Sequence, residues 1–182
     1  MHLFRRILEC SAPVFRREKH CLVAACLSII AEAAIPGCSV QPPESGEYPV
    51  VFVADGDTVK IAVGGGIEEW VRFIGIDTPE TPPGGKPEYC GPEATEFIEE
   101  LLLGKKALFV LGREHRDKYG RLLAYVYIER GGGEKLFVNR VLLEKGLARR
   151  MSIPPNTAHA LEFAEAVESA KKNRRGLWGG GC

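Results

Sequence analysis

The sequence predicts an α+β domain that is mainly a β barrel: five short strands closed on themselves, with three helices set among them. Three observations predict it. Apolar, β-branched runs alternate with Asp-Gly and Gly-Gly-Gly turns in the first half of the body. Three later stretches carry apolar residues at helical spacing instead. Glycine (21) and proline (12) are frequent enough to punctuate many short elements. The 182 residues are 45% hydrophobic and 26% charged, so one domain of ordinary size can bury a core without needing disulfides to fold.

Each element has a local reason. Residues 49–54 (PVVFVA) form a first strand, Asp55-Gly56 a tight turn, and 58–63 the alternating return strand. Glycines 64–66 turn the chain again, and 69–76 form the third strand of a meander. Residues 81–90 (TPPGGKPEYC) read as a loop. Pro92 suits the first turn of a helix, whose Ala94, Phe97, Ile98, Leu101 and Leu102 share one face. Glu93 and Glu96 complement its positive end, and Gly104 stops it. Residues 107–111 and 122–128 are the fourth and fifth strands, and a Gly-rich turn at 131–133 leads to an extended 136–138. Asn139 is placed to cap a second helix that buries Val141, Leu142 and Leu143 and ends at Gly146. A third helix spans about 157–172, with Ala160, Phe163, Ala164 and Val167 inside and Lys171 and Lys172 at its negative end. No internal repeat is present. Five short strands with interleaved helices fit a barrel of OB type, an architecture often used to hold oligonucleotides.

The first 38 residues read differently. Arg5, Arg6, Arg16, Arg17 and Lys19 precede an apolar run at 21–30 and a small-residue segment, the order of an export leader. Ala31-Glu32-Ala33 offers one cleavage site. Ile35-Pro36-Gly37-Cys38 offers another, a lipobox in which Cys38 is the candidate lipidation site. An uncleaved amphipathic anchor or a mis-called start is the alternative. The organisation is therefore a leader at 1–38, a polar linker at 39–48, the folded domain at 49–178 and a short tail at 179–182. Export to a bacterial cell envelope or to the medium is the expected location. No stretch is long and apolar enough to be a confident membrane span. Cys90 and Cys182 remain in the body, and an oxidising compartment would let them pair.

Charge narrows the function classes. The chain carries 24 basic and 24 acidic residues, and past Cys38 it carries 19 and 21. That excludes a basic protein coating DNA and an acidic buffer, but not an enzyme with positive charge only in its groove. Three clusters hold chemistry: Asp55-Gly56-Asp57-Thr58, then Arg72 followed by Asp77-Thr78-Pro79-Glu80, then Arg116 to Arg121. Taken singly, Asp57 is a turn residue, Asp77 a strand end and Arg121 a surface charge. Arg72, flanked by Val71 and Phe73 in an apolar strand, faces either solvent or a pocket. Taken together, two carboxylates suit a hard cation, Glu80 suits a base that accepts a water proton, and two arginines suit a phosphate whose charge grows in a transition state. Those are the parts needed to hydrolyse a phosphodiester.

The chain resembles the staphylococcal nuclease-like (thermonuclease) family. The resemblance rests on residues 55–60 (DGDTVK), 72–80 (RFIGIDTPE), 91–94 (GPEA), 117–125 (DKYGRLLAY), 138–139 (VN), 146–148 (GLA) and 174–178 (RRGLW), in that order. It implies an OB-fold barrel with three helices and Ca²⁺-dependent cleavage of DNA and RNA to 3′-phosphate ends. It implies that Asp57 and Asp77 hold Ca²⁺ by carboxylate and Thr78 by its carbonyl. Glu80 would be the general base, Arg72 and Arg121 would bind the phosphate, and Lys118 and Tyr119 would contact a terminal phosphate. No protein partner is implied, and a monomer is expected.

One stretch departs from the family pattern. Residues 149–154 (RRMSIP) lack the tyrosines expected after Gly146-Leu147-Ala148, which removes a stacking surface for a base. The near-neutral body predicts weaker general attraction to DNA than a basic nuclease has. Two other readings stay open at this level. One is a nucleic-acid-binding barrel without catalysis, and the other is a surface lipoprotein using the barrel as a scaffold.

Overall fold

The computed structural model describes residues 43–82 and 84–182. The leader, with Cys38 and its cleavage sites, lies outside the described residues. Strand β1 (Gly46–Asp55) pairs antiparallel with β2 (Thr58–Gly64), and β2 with β3 (Ile67–Phe73). A two-residue strand β4 (Ile76–Asp77) follows, then helix α1 (Gly91–Leu102). Strand β5 (Lys106–Arg116) pairs with β1 and with β6 (Leu122–Glu129). The barrel closes where β3 and β6 run parallel, Val71 opposite Leu122 and Phe73 opposite Ala124. Full closure removes the exposed edges that an open sheet would leave.

The remaining elements brace this barrel. Strand β7 (Lys135–Phe137) pairs antiparallel with β6, helix α2 (Val138–Glu144) follows it, and β8 (Arg149–Arg150) pairs with β4. Helix α3 (Ala160–Lys172) closes the chain. Inward residues of every barrel strand meet in one core, with Val59, Ile61, Val71, Phe73, Phe109 and Val126 among the most deeply buried. Phe163 of α3 joins an aromatic group with Phe137 and Tyr125, ring centroids 5.5 and 6.4 Å away. Each such ring contributes a large apolar area, so α3 is fixed by burial and not by surface charge.

Several boundaries differ from the sequence expectation. β1 starts at Gly46, inside the expected linker, because Gly46 to Pro49 find ladder partners on β5. The expected third strand breaks in two at Gly75, whose positive φ (+81°) turns the chain between β3 and β4. A Cβ there would run into the Phe163 ring, so only glycine allows both the turn and the packing of α3. β5 runs to Arg116, well past the apolar 107–111. In α3 the buried stripe is Phe163, Ala166, Val167 and Ala170, and the helix starts at Ala160. Thr157, expected as its start, lies in a preceding turn.

Asn139 is not a cap. Phe137 occupies that position, and Asn139 lies inside α2 and is wholly buried. Its Oδ1 accepts from the Val126 amide at 2.9 Å and its Nδ2 donates to the Ile74 carbonyl at 2.8 Å. One side chain therefore ties α2 to β6 and to the β3–β4 turn.

Candidate active site

The β1–β2 turn puts Asp57 under the β3–β4 segment. Gly56 allows this approach, since a Cβ on it would come within 2.7 Å of Ala94 and 2.8 Å of Thr78. Asp57 has no exposed surface. Its Oδ2 accepts from the Thr78 amide at 2.8 Å and its Oδ1 from the Thr58 hydroxyl at 3.0 Å. Arg72 Nη1 donates to the same Oδ1. Arg72 Nη2 donates to Asp77 Oδ1 at 2.6 Å and to the Ile76 carbonyl at 3.4 Å. One guanidinium thus spans two carboxylates that lie 20 residues apart in the chain. Such charge-assisted bonds are short and directional, and the buried Asp57 charge is compensated only while they hold.

Asp55, a turn residue by its sequence, lies beside this group. It accepts from the Asp57 amide at 3.0 Å. Burial raises its carboxyl above the ordinary 3.8, partly opposed by the Arg72 charge, bonds to Thr58 and the Arg121 charge. Its signal was the same Asp-Gly-Asp turn, where it read as a turn residue.

The opposite wall is built by one turn after β5. Asp117 Oδ1 accepts from the amides of Tyr119 (2.9 Å) and Arg121 (3.0 Å), and its Oδ2 accepts from Arg121 Nε at 2.7 Å. The Asp117 side chain therefore folds the turn and aims Arg121 at once. Burial pushes its carboxyl up. Hydrogen bonds from Arg121 and Tyr119, with the Arg121 charge, outweigh that and hold it below 3.8. Lys118 Nζ lies 4.9 Å from the Tyr119 ring centre and Arg121 Cζ 5.5 Å, so two cations lie against the exposed ring.

Between the walls is a cavity of about 540 Å³ lined by Arg72, Glu80, Lys118, Tyr119 and Arg121, among others. Five of the residues singled out from sequence therefore share one open pocket. Asp57 and Asp77 adjoin it through Arg72, and Thr78 is tied to them through its amide bond to Asp57. Glu80 is exposed at the pocket, and its carbonyl accepts from the Glu88 amide at 3.0 Å. The loop that holds it ends at Cys90, which is bonded to Cys182 with Cα atoms 5.5 Å apart.

The pocket also contains residues the sequence did not point to. Met151 and Ile153 line it, from the stretch after Gly146-Leu147-Ala148 that carries no aromatic residue. Asn156 fixes that segment, accepting from the Glu114 amide at 3.0 Å and donating to the Glu114 carbonyl at 2.9 Å. No local signal announces a contact 42 residues long.

The donor set fits a hard cation. Asp57, Asp77 and the Thr78 carbonyl offer oxygen alone, the preference of Ca²⁺ and Mg²⁺. Among the described residues no three His, Cys, Asp or Glu side chains form a cage by themselves, so two carboxylates and a carbonyl would leave part of the shell to water.

A closed small barrel with paired acids, an exposed glutamate and two arginines around one open pocket holds the groups that phosphodiester hydrolysis needs. The model of the family described as "Staphylococcal nuclease homologue" matches residues 70–180. That stretch carries Arg72, Asp77, Thr78, Glu80, Lys118, Tyr119 and Arg121, while Asp57 precedes it. A thermonuclease of Staphylococcus intermedius is 38% identical over 132 residues, covering 72% of this chain and 75% of that protein. A thermonuclease of Staphylococcus hyicus is 35% identical over the same length and shares. Endonuclease YncB of Bacillus subtilis (strain 168) is 38% identical over 130 residues, covering 68% of this chain and 57% of that protein. The chain belongs to the staphylococcal nuclease homologue family.

Proposed function

We propose that this nuclease is a Ca²⁺-dependent endonuclease that cleaves DNA and RNA, preferring single strands, and leaves 3′-phosphate ends. The observation that carries the reading is the convergence of Arg72, Glu80 and Arg121 on one pocket, with Asp57 and Asp77 bound to Arg72.

Arg72 and Arg121 face a phosphodiester from two walls and donate to its non-bridging oxygens. Charge builds on those oxygens as the phosphorus becomes five-coordinate, so donors fixed in advance stabilise the transition state more than the ground state. Glu80 accepts a proton from the attacking water as the oxygen bonds to phosphorus. The bond to the 5′ oxygen breaks, that oxygen takes up a proton, and the phosphate stays on the 3′ side. Lys118 and Tyr119 hold a neighbouring terminal phosphate. Asp57, Asp77 and the Thr78 carbonyl would hold Ca²⁺, which supplies Lewis-acid polarisation of the phosphoryl oxygen when bound. Met151 and Ile153 offer a base van der Waals contact without an aromatic face, which predicts little base preference.

The leader pattern supports export, with Cys38 as the lipid attachment point of a tethered form. Millimolar Ca²⁺ outside a cell suits a site of modest affinity. The test is cleavage of single-stranded DNA and RNA by residues 39–182 in Ca²⁺ and in EGTA, with end analysis of the products. Cleavage confined to Ca²⁺ with 3′-phosphate ends is expected. A folded protein that cuts neither polymer at millimolar Ca²⁺ refutes the proposal.

A further inference from the structure

The outer face of the β1–β2–β3 sheet carries a row of side chains that catalysis does not use. Strand register sets Phe52 opposite Lys60 and Lys60 opposite Trp70. Phe52 is 51% exposed and Trp70 38%. Their ring centroids lie 5.9 Å apart, edge to face, and Lys60 Nζ lies 4.7 Å from the Trp70 ring centre. The register between β2 and β3 is unbroken from Thr58 and Arg72 to Lys60 and Trp70. Val59, Ile61, Val71 and Phe73 are buried in the barrel. Alternation therefore puts Thr58, Lys60, Trp70 and Arg72 on the other sheet face. The aromatic row lies one side-chain repeat, about 7 Å, along the strands from Arg72.

We propose that this row is a subsite for single-stranded nucleic acid lying beyond the cleaved phosphodiester. Bases stack on Phe52 and Trp70, and a backbone phosphate pairs with Lys60. The inference rests on the nuclease reading above. Two features commit it to this occupant. The row continues, on the same sheet face, the strand positions that carry Arg72 into the pocket, so a strand held there is led onto Phe52 and Trp70. Aromatic faces interleaved with a cation also suit any base sequence, because every base has a π face and every linkage a charge. Lys60 pairs with Glu68 Oε2 at 3.2 Å, the contact that an incoming phosphate displaces.

The test uses the full chain and two readouts. The first is anisotropy of a fluorescein-labelled oligothymidylate in EDTA, where no turnover interferes. The second is the ratio of kcat/KM for that oligonucleotide over a dinucleotide, in Ca²⁺. Phe52→Ala and Trp70→Ala are each expected to weaken oligonucleotide binding about tenfold, and to lower the ratio in step. Glu68→Gln is expected to tighten binding, and Trp70→Phe, which keeps a ring, to stay within about threefold of the parent. Phe52→Ala and Trp70→Phe decide the matter if Trp70→Ala does not fold. Equal binding by parent and variants overturns the subsite even with nuclease activity intact, as does a loss equal for long and short substrates. A parent that cleaves neither substrate refutes the nuclease reading, and the anisotropy still decides the subsite.

Discussion

The two walls of the pocket are built on opposite principles. The Asp57–Arg72–Asp77 wall is set into the barrel: Asp57 is wholly buried, and Arg72 is locked between two carboxylates and a carbonyl. The Asp117–Arg121 wall is a surface turn held by one carboxylate, with Tyr119 72% exposed. The two arginines carry the same proposed role. They differ in what the fold loses without them, because an unpaired buried charge costs far more than an unpaired exposed one.

Removing each arginine breaks that comparison most sharply. Arg72→Ala strands Asp57 in the core and is expected to cost about 3–5 kcal/mol of stability. Arg121→Ala is expected to cost under about 1 kcal/mol. Both are expected to lose roughly 10²- to 10³-fold in kcat. Urea denaturation and single-strand cleavage of the two variants measure the contrast. Equal stability losses would show that the walls are not built differently.

The next effect sits behind the walls. Asn139→Ala leaves the Val126 amide and Ile74 carbonyl without their side-chain partner and is expected to cost about 2–3 kcal/mol. Its loss in activity below the melting transition should be small, since its side-chain hydrogen bonds go to the Val126 amide and the Ile74 carbonyl and not to the charged side chains of the pocket. Thermal unfolding and cleavage at a permissive temperature separate the two.

The smallest expected effect sharpens the exposed wall. Asp117→Asn keeps the shape and loses the charge, costing about 0.5 kcal/mol. The Asp117 carboxyl is held below 3.8 in the fold. Its stabilisation is therefore fully present above that value and fades as pH falls through the lowered folded value. The stability gap between parent and Asp117→Asn should be open near neutral pH and close in acid. A gap that widens in acid would reverse the assigned sign.

Much of this was legible in the sequence, for local reasons. Asp-Gly and Gly-Gly-Gly turns between β-branched runs announce the meander, and Pro92 announces α1. The clusters around Asp57, Arg72 to Glu80 and Asp117 to Arg121 announce the chemistry because each lies in a short segment. What was not legible depends on distant contacts. Asn139 looks like a cap, and only its partners on β6 and in the β3–β4 turn show it to be a core bracket. Gly75 looks like a residue within a strand until Phe163 packs over it. Arg72 had two readings, solvent or pocket, and β4 decides between them by carrying Asp77 over the outer face of β3. Asn156 acts on a strand that is remote in sequence and near only in the fold.

The central claim is that Glu80, exposed at the pocket between the two walls, is the base that activates water. The most direct measurement compares single-strand DNA cleavage by the parent and by Glu80→Gln in saturating Ca²⁺, with thermal unfolding of both. The account predicts a kcat lower by at least about 10²-fold with an unchanged melting temperature. A folded Glu80→Gln variant that turns over at the parent's rate would contradict it.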